Sequence, residues 1–489
     1  MKRRESIKLI NAGIISLATP SLFADWSFTQ GKQEVNLIQE FAKRNGIKYV
    51  SDISERKSFE KDFGNILKAV PLAILTPNSI EQLQQIIRFA KEKKFHIVAR
   101  GAGHSVGGQS LASKRGITID LRVLNQIEGI RKDQEDNAIV VCQTGVTLQQ
   151  VNEFLLAENR VLPALPFYPG LTIGGVLNAG GVGSASHLNG LLISNVTELE
   201  VLTADGELVT CSRLKQSEIF YSVLGTFGYM GIITRASIKV LSCKNMFRTV
   251  RYIYDSIDPW LSDYQFLLSK NISNLQGICV KSKQDPKTWN FLLEVTLEGS
   301  SDEEIKNDVA GIGQLMNKNM LPSSDYSPKE FLNRYAPRFE QMRSQGKMEQ
   351  HHPFLEFIVA LENVKQLIEE SLRTVPNSYE DGFRLIFINR KNLPPYFMVP
   401  HAERICMFAI LPTGIQQQDV ESALDAAKRI HEYAMSLGAR RYLSGWLGML
   451  STHELKIHFG EEYVKLKELK TKNDPNNIFR SLFAEKFLV

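Results

Sequence analysis

The chain has 489 residues, 43% of them hydrophobic, and a formal net charge of +5. That length exceeds one small core and sets two domains as the expectation, while so mild a charge, with no long Lys/Arg block, argues against a nucleic-acid partner. Five cysteines, odd in number and without CxxC pairs, argue against both a disulfide framework and a thiolate metal site; they read as buried thiols.

The N-terminus, "MKRRESIKLINAGIISLATPSLFADW", combines a basic start, a short apolar run and small residues up to Ala24. It reads as an export signal over 1–24, with Arg3-Arg4 giving it a twin-arginine character, and the protein is expected in the periplasm or secreted. No other window is apolar and long enough to span a membrane. From Pro71 the pattern is regular. Ser79 and Gln82 stand at capping-box spacing before Ile80, Leu83, Ile86, Ile87 and Ala90, one face of a helix. "HIVA", "GITIDL" (116–121) and "AIVVCQTG" (138–145) read as strands. Thr147 and Gln150 offer a second capping box, and Asp205-Gly206 sits between two alternating runs as a hairpin turn. This mixed α/β unit closes near Leu241. Beyond Lys244 glycine thins, and helical stretches such as "ENVKQLIEESLR" separate strands such as "NFLLEVTLE" and "RLIFINR", an α+β pattern. The tail from about Ala439 is too short for a domain and is expected to pack back on the first unit.

Two glycine-rich segments carry the chemistry: "RGAGHSVGGQS" from Arg100 and "PGLTIGGVLNAGGVG" from Pro169. The first lacks GxGxxG spacing and leads to another strand instead of a long helix, so it is not a dinucleotide fingerprint. No GK[ST] follows, which excludes a P-loop. What remains is two loops dense in backbone N–H groups, suited to a pyrophosphate.

"RGAGHSVGGQS" resembles the flavin loop of the vanillyl-alcohol-oxidase superfamily. More narrowly, "KDFGNILKAVPLAILTPNS", "LTIGGVLNAGGVG", "EFLNRYAPRFEQMRSQG", "HHPFLEFIV", "YLSGW" and "DPNNIF" resemble the cytokinin dehydrogenases, in order from Asp62 to Phe479. The resemblance implies an α+β fold: a two-part PCMH-type FAD-binding domain (α/β sheets with helices) over 50–243, an α+β substrate domain over 244–440, and a C-terminal return over 441–489. It implies FAD bonded covalently through His104, with Gly101, Gly103, Ser105, Gln109, Thr172, Gly174, Gly175, Asn178, Ile233 and Tyr442 at cofactor-binding positions. No metal is implied. A second covalent link through cysteine is not available, because Tyr168 stands before "PGLTIGG" and no cysteine lies nearby.

The resemblance breaks at the substrate. The family's aspartate before the second loop aligns with Phe167, and its purine-contacting glutamate with Gln276. The family's C-terminal SPGQ is absent too. Phenylalanine cannot take a proton, so Tyr168, Glu356 and His187 are the candidate replacements. The expected function is oxidation of a C–N bond in a small amine, an N6-substituted adenine first, by hydride transfer to flavin, with oxygen or a quinone as electron acceptor. An alcohol or polyol oxidase of the same superfamily is the alternative, although "KIHFG" stands where lactone oxidases carry HWAK. A flavin-binding protein that has lost catalysis is the third reading.

Overall fold

The apolar face of residues 80–93 organises the first layer. Leu83, Ile86, Ile87 and Phe89 of helix Ile80–Lys93 are buried, each contributing roughly 1.5–3 kcal/mol. They pack on a four-stranded sheet of β1 (Lys48–Val50), β2 (Ala73–Thr76), β3 (His96–Arg100) and β4 (Gly116–Asp120), in the order β1-β2-β4-β3. The β2–β4 and β3–β4 pairs are parallel. The computed structural model describes residues 28–486 apart from 271, 313–314, 316–318, 377–378, 380–381 and 449; the segment 1–24, read from the sequence as an export signal, lies outside the described residues. Helix Phe28–Arg44 and β1 join this layer ahead of residue 50, so the chain enters the first sheet earlier than the sequence reading placed it.

A second sheet holds β5 (Ile127–Lys132) and β6 (Ala138–Gln143), while β7 (Arg160–Val161) goes to a separate short ladder. It continues with β8 (Val196–Leu202), β9 (Leu208–Ser212) and β10 (Ile232–Lys239), in the order β5-β6-β10-β8-β9, all antiparallel. β8 and β9 form the expected hairpin, with Gly206 at φ +73° in its turn. The partner of β7 is β11 (Leu241–Ser242).

Chain beyond this point builds one eight-stranded antiparallel sheet: β12 (Met246–Tyr254), β13 (Asn274–Lys281), β14 (Trp289–Gly299), β15 (Met320–Tyr326), β16 (Leu355–Ala360), β17 (Phe383–Ile388), β18 (Ile405–Ile410) and β19 (Arg440–Arg441). Their order is β15-β12-β14-β13-β17-β18-β16-β19. Successive side chains on a strand point to opposite faces, and here the two faces differ. Leu355, Phe357, Phe383, Leu385 and Phe408 pack under helices Ile257–Leu267, Leu361–Thr374 and Val420–Ser436. Glu356, Arg384 and Ala409 fall on the other face, toward the first unit.

The tail packs beside β3. Ile97 N–H donates to Ile478 O (2.6 Å) and Arg480 N–H to Ile97 O (3.0 Å), which adds the tail beside β3. Four of the five cysteines are buried, Cys243 is half-buried and all five are free thiols.

Candidate active site

The capping chemistry of the two early helices shows how local signals set the backbone. Thr147 and Gln150 form a complete box on helix Leu148–Ala157. At Ser79 only half forms: Ser79 Oγ accepts from Gln82 N–H, but Gln82 Oε1 accepts from Asn78 N–H (2.9 Å) instead of the cap residue.

The segment Arg100–Ser110 folds around a buried carboxylate. Asp62 Oδ2 accepts from Gly108 N–H (2.8 Å) and Ser105 Oγ (3.1 Å). Burial pushes the Asp62 carboxyl up to about 6, against those hydrogen bonds and the nearby Arg100 charge. Phe63 N–H donates to Gly103 O and Gly64 N–H to Ser105 O, so residues 62–64 and the loop zip together. Gly103 turns at φ +68°, a conformation glycine takes freely. His104 is thereby held in a column of rings: Tyr168 at 4.6 Å on one side, Phe63 at 4.0 Å on the other, and His352 stacked beyond Phe63 at 4.1 Å. Burial, with His352 adding to it, lowers the His104 imidazole to about 3, so the ring is neutral and one of its nitrogens carries no proton.

The second glycine segment is not a loop, as read from the sequence, but a short helix, Ile173–Ala179, capped by Thr172 Oγ1 on Gly175 N–H. Composition misled because Ile173, Val176 and Leu177 bury a helical stripe between the glycines. A Cβ at Gly101 would strike the Thr172 hydroxyl, so the two glycine segments meet face to face. Between them and the large sheet runs a cleft of about 310 Å³.

At the sheet end of the cleft the lining changes character. Glu356 on β16 is 8% exposed; Ser444 Oγ donates to its Oε2 (2.5 Å). Burial raises its carboxyl to about 7, in spite of the Ser444 bond and the Arg441 charge. Phe167 stands edge-on to Tyr335 (ring centroids 5.0 Å), with the Arg384 guanidinium 5.9 Å over its ring. Tyr168 leans on Phe339 at 4.6 Å.

Every cofactor position drawn from the resemblance lines this one cleft, as do Phe167, Tyr168 and Glu356. Two catalytic candidates do not. His187 faces the backbone carbonyls of Ser184 and Ile272 (3.1 and 2.9 Å), fastening two segments together away from the cleft. Gln276 is fully buried behind Tyr335, donating to its hydroxyl and to Glu294 Oε1 (2.6 Å). The side chains of Ser105 and Gln109 also bond within the protein: Ser105 to Asp62 and Ser110, while Gln109 accepts from Gly107 N–H (2.8 Å) and donates to Leu443 O (2.7 Å). Both shape the loop with their side chains. Tyr442 likewise works through its hydroxyl, which accepts from Gly181 N–H (2.9 Å). The sequence reading missed Asp62, Arg338, Arg384 and Ser444. Only Arg384 had a visible signal, a lone charge among the apolar residues of "FRLIFI".

The cleft fits FAD. Asn178 Nδ2 donates to Gly174 O (2.8 Å), but its buried Oδ1 has no partner among the described residues and would accept a hydrogen bond from the cofactor. Side-chain-free backbone at 101, 103, 174 and 175 allows close approach.

Comparison with known proteins agrees with that fit. Residues 71–212 match the family model described as "FAD binding domain", and residues 272–481 the model described as "Cytokinin dehydrogenase 1, FAD and cytokinin binding". The chain is similar to "Cytokinin dehydrogenase 1" of Arabidopsis thaliana, 27% identical across 85% of this chain and 78% of that protein. It is similar to "Cytokinin dehydrogenase 3" of Oryza sativa subsp. japonica, 28% identical across 85% and 87%. A bacterial relative, "Uncharacterized oxidoreductase ORF5 in fasciation locus" of Rhodococcoides fascians, is 25% identical across 91% of this chain and 100% of its own length. One solved structure, "Structure of FgChi7B", shares the fold with a TM-score of 0.73 over 94% of this chain and 100% of that one, at 15% identity.

Proposed function

Because the chain belongs to the cytokinin-dehydrogenase type of FAD-dependent oxidoreductases, we propose that it oxidises a C–H bond beside nitrogen in a small, mostly apolar molecule, with Glu356 as the base. When bound, FAD supplies the two-electron acceptor for the hydride. His104 is its covalent anchor, supported by the stacked, neutral imidazole facing the cleft.

The observation that carries this reading is the buried carboxyl of Glu356 in the cleft wall. As hydride leaves carbon, the substrate's N–H becomes acidic, and a base that takes this proton relieves the developing positive charge. Phe167 cannot serve. Glu356 is about half ionised at neutral pH and ionised above it, poised near the operating range. Ser444 holds one carboxylate oxygen and leaves the other to the substrate. Tyr168 packs between His104 and Phe339, and that placement supports a wall. The aromatic lining at Phe167, Tyr335 and Phe339 excludes water from the reacting carbon. We further propose that the mature protein is exported and passes its electrons to oxygen or a quinone. No helix among the described residues is long and apolar enough to cross a membrane.

The test is anaerobic. Isopentenyladenine added to the holoprotein is expected to bleach the flavin band near ~450 nm, the absorbance of the oxidised redox cofactor. A band that survives this amine, a panel of other alkylamines and a panel of alcohols sinks the oxidoreductase reading and leaves a flavin-binding protein. Bleaching by alcohols alone favours the alcohol oxidase.

A further inference from the structure

His104 is held by ring faces alone. Among the described residues no hydrogen bond reaches its imidazole, although such a bond ordinarily sets the tautomer and orientation of a working histidine. The torsion that turns an imidazole about its Cβ–Cγ bond has a broad minimum, so the plane of His104 is fixed by what packs on it. Phe63 covers one face (centroids 4.0 Å apart, planes 20° apart) and Tyr168 the other (4.6 Å, 21°). With both faces covered, the ring offers an edge to the cleft it lines, and the edge carries the nitrogens.

Phe63 is itself fixed from two sides. Its backbone N–H donates to Gly103 O (2.9 Å), and its ring rests on His352 (4.1 Å, 15°). His352 comes from the second unit and is fully buried. Its Nδ1 faces Pro412 O (3.2 Å), its Nε2 faces Lys347 O (3.0 Å), and its backbone N–H donates to Gly64 O (3.0 Å). A neutral imidazole donates through one nitrogen only, and a bond to either carbonyl pins this ring. Phe354 closes the side, tilted against Phe63 at 5.7 Å and against His352 at 5.8 Å. The column therefore starts on a fixed platform in the second unit, crosses to the first, and ends at the histidine of the glycine loop.

We propose that Phe63 and His352 are positioning residues for flavin attachment: their stack aims the edge of His104 so that its unprotonated nitrogen bonds to the cofactor. This rests on the covalent-anchor reading above. In the step concerned, that nitrogen bonds to a methyl carbon on the flavin ring. One C–H bond of the methyl breaks, its proton and the imidazole N–H proton leave, and the two electrons pass through the flavin to oxygen or a quinone. Bond formation between two held groups depends steeply on their alignment, roughly 10²-fold for a misplacement of about 1 Å. His352 does not line the cleft, so it acts on the cofactor through Phe63 and His104. The tether consequently forms only once the second unit has packed on the first.

The readout is the tether and not turnover. Full-length holoprotein is purified, its bound flavin is measured by absorbance, and the share that stays with the chain after acid precipitation is measured next. The unsubstituted protein is expected to keep nearly all of it. Phe63→Met removes a ring at similar volume, and His352→Gln removes a ring while keeping a donor for the carbonyls. Both should bind FAD in the native state, yet attach it at least ~10-fold more slowly, so that acid releases most of the flavin from freshly purified protein. Phe63→Tyr and His352→Phe keep the rings and should keep the tether. Acid-resistant flavin in Phe63→Met and His352→Gln equal to that of the unsubstituted protein overturns the proposal. Release from the ring-keeping variants as large as from those two overturns it as well. Should one of Phe63→Met and His352→Gln fail to fold or to bind FAD, the pair of variants at the other position decides; failure of both makes the column structural and refutes the positioning role. Failure of the covalent-anchor reading looks different, because the unsubstituted protein would then release its own flavin in acid.

Discussion

Glu356 and His104 are two buried titratable groups shifted in opposite directions by one cause. Burial penalises the charged form, which raises the carboxyl to about 7 and lowers the imidazole to about 3. The consequence for activity has a definite sign. The base is competent only when ionised, so kcat/KM rises with pH through about 7 and levels off above it. Glu356→Gln should lower kcat by roughly 10²–10⁴ and erase that limb. Ser444→Ala removes a bond that favours the carboxylate and should move the limb to higher pH. A pH series of initial rates on the three proteins checks both; an unchanged limb in the glutamine variant would reassign the base. At His104 the readout is the cofactor itself. His104→Ala should release its flavin into the supernatant on acid denaturation, whereas the unsubstituted chain should keep it. Flavin that stays with the alanine variant refutes the covalent link.

At the scale of elements, the glycine loop is held from outside its own segment. Asp62 serves as its template, since the loop's Gly108 N–H and Ser105 hydroxyl both point at one carboxylate oxygen. Asp62→Ala would leave those donors unpaired in a buried site, at roughly 1–3 kcal/mol. The expected outcome is a folded protein with a lower melting temperature and a flavin content well below one per chain, measured by absorbance after purification. Full flavin occupancy would show that the loop forms without its template. The helix Ile173–Ala179 has a different source of order. Ile173 N–H donates to Val146 O and Gly174 N–H to Thr144 O, so its first turn is spliced onto the end of β6. That splice carries the second glycine segment to the first.

Across the whole molecule, the tail closes the structure. Lys470 and Asp474 are buried and paired at 2.6 Å, and Lys470 Nζ also donates to Tyr229 O and Phe479 O. Asp474 in turn accepts from Ile478 N–H and Phe479 N–H, fixing the turn that delivers the chain to β3. Breaking such a pair from one side leaves an uncompensated buried charge, about 3–5 kcal/mol. Asp474→Asn should therefore lower the thermal midpoint strongly, and Lys470→Met combined with Asp474→Asn should lower it less than Asp474→Asn alone. Calorimetry of the two variants decides it; a double variant that melts at or below Asp474→Asn alone would refute the coupling.

The amino-acid order determined the local elements by itself. Helix Ile80–Lys93, the hairpin at Asp205-Gly206 and the strands flanking the glycine loop follow from periodicity, caps and turn residues within a few positions of each other. The cofactor segments were legible for the same reason, because "RGAGHSVGGQS" and "LTIGGVLNAGGVG" are contiguous, and their resemblance to a flavin-binding family carried the cofactor with it. The substrate end was not legible. Glu356, Arg384 and Ser444 are separated by 28 and 60 residues, and nothing local says that strand register sets Glu356 and Arg384 on one face. His187 and Gln276 look equally catalytic as letters, and only packing shows the first spent on two carbonyls and the second sealed behind Tyr335. Short-range chemistry is written in the chain; a site assembled from four distant segments exists only once sheet register and burial have chosen which side chains meet.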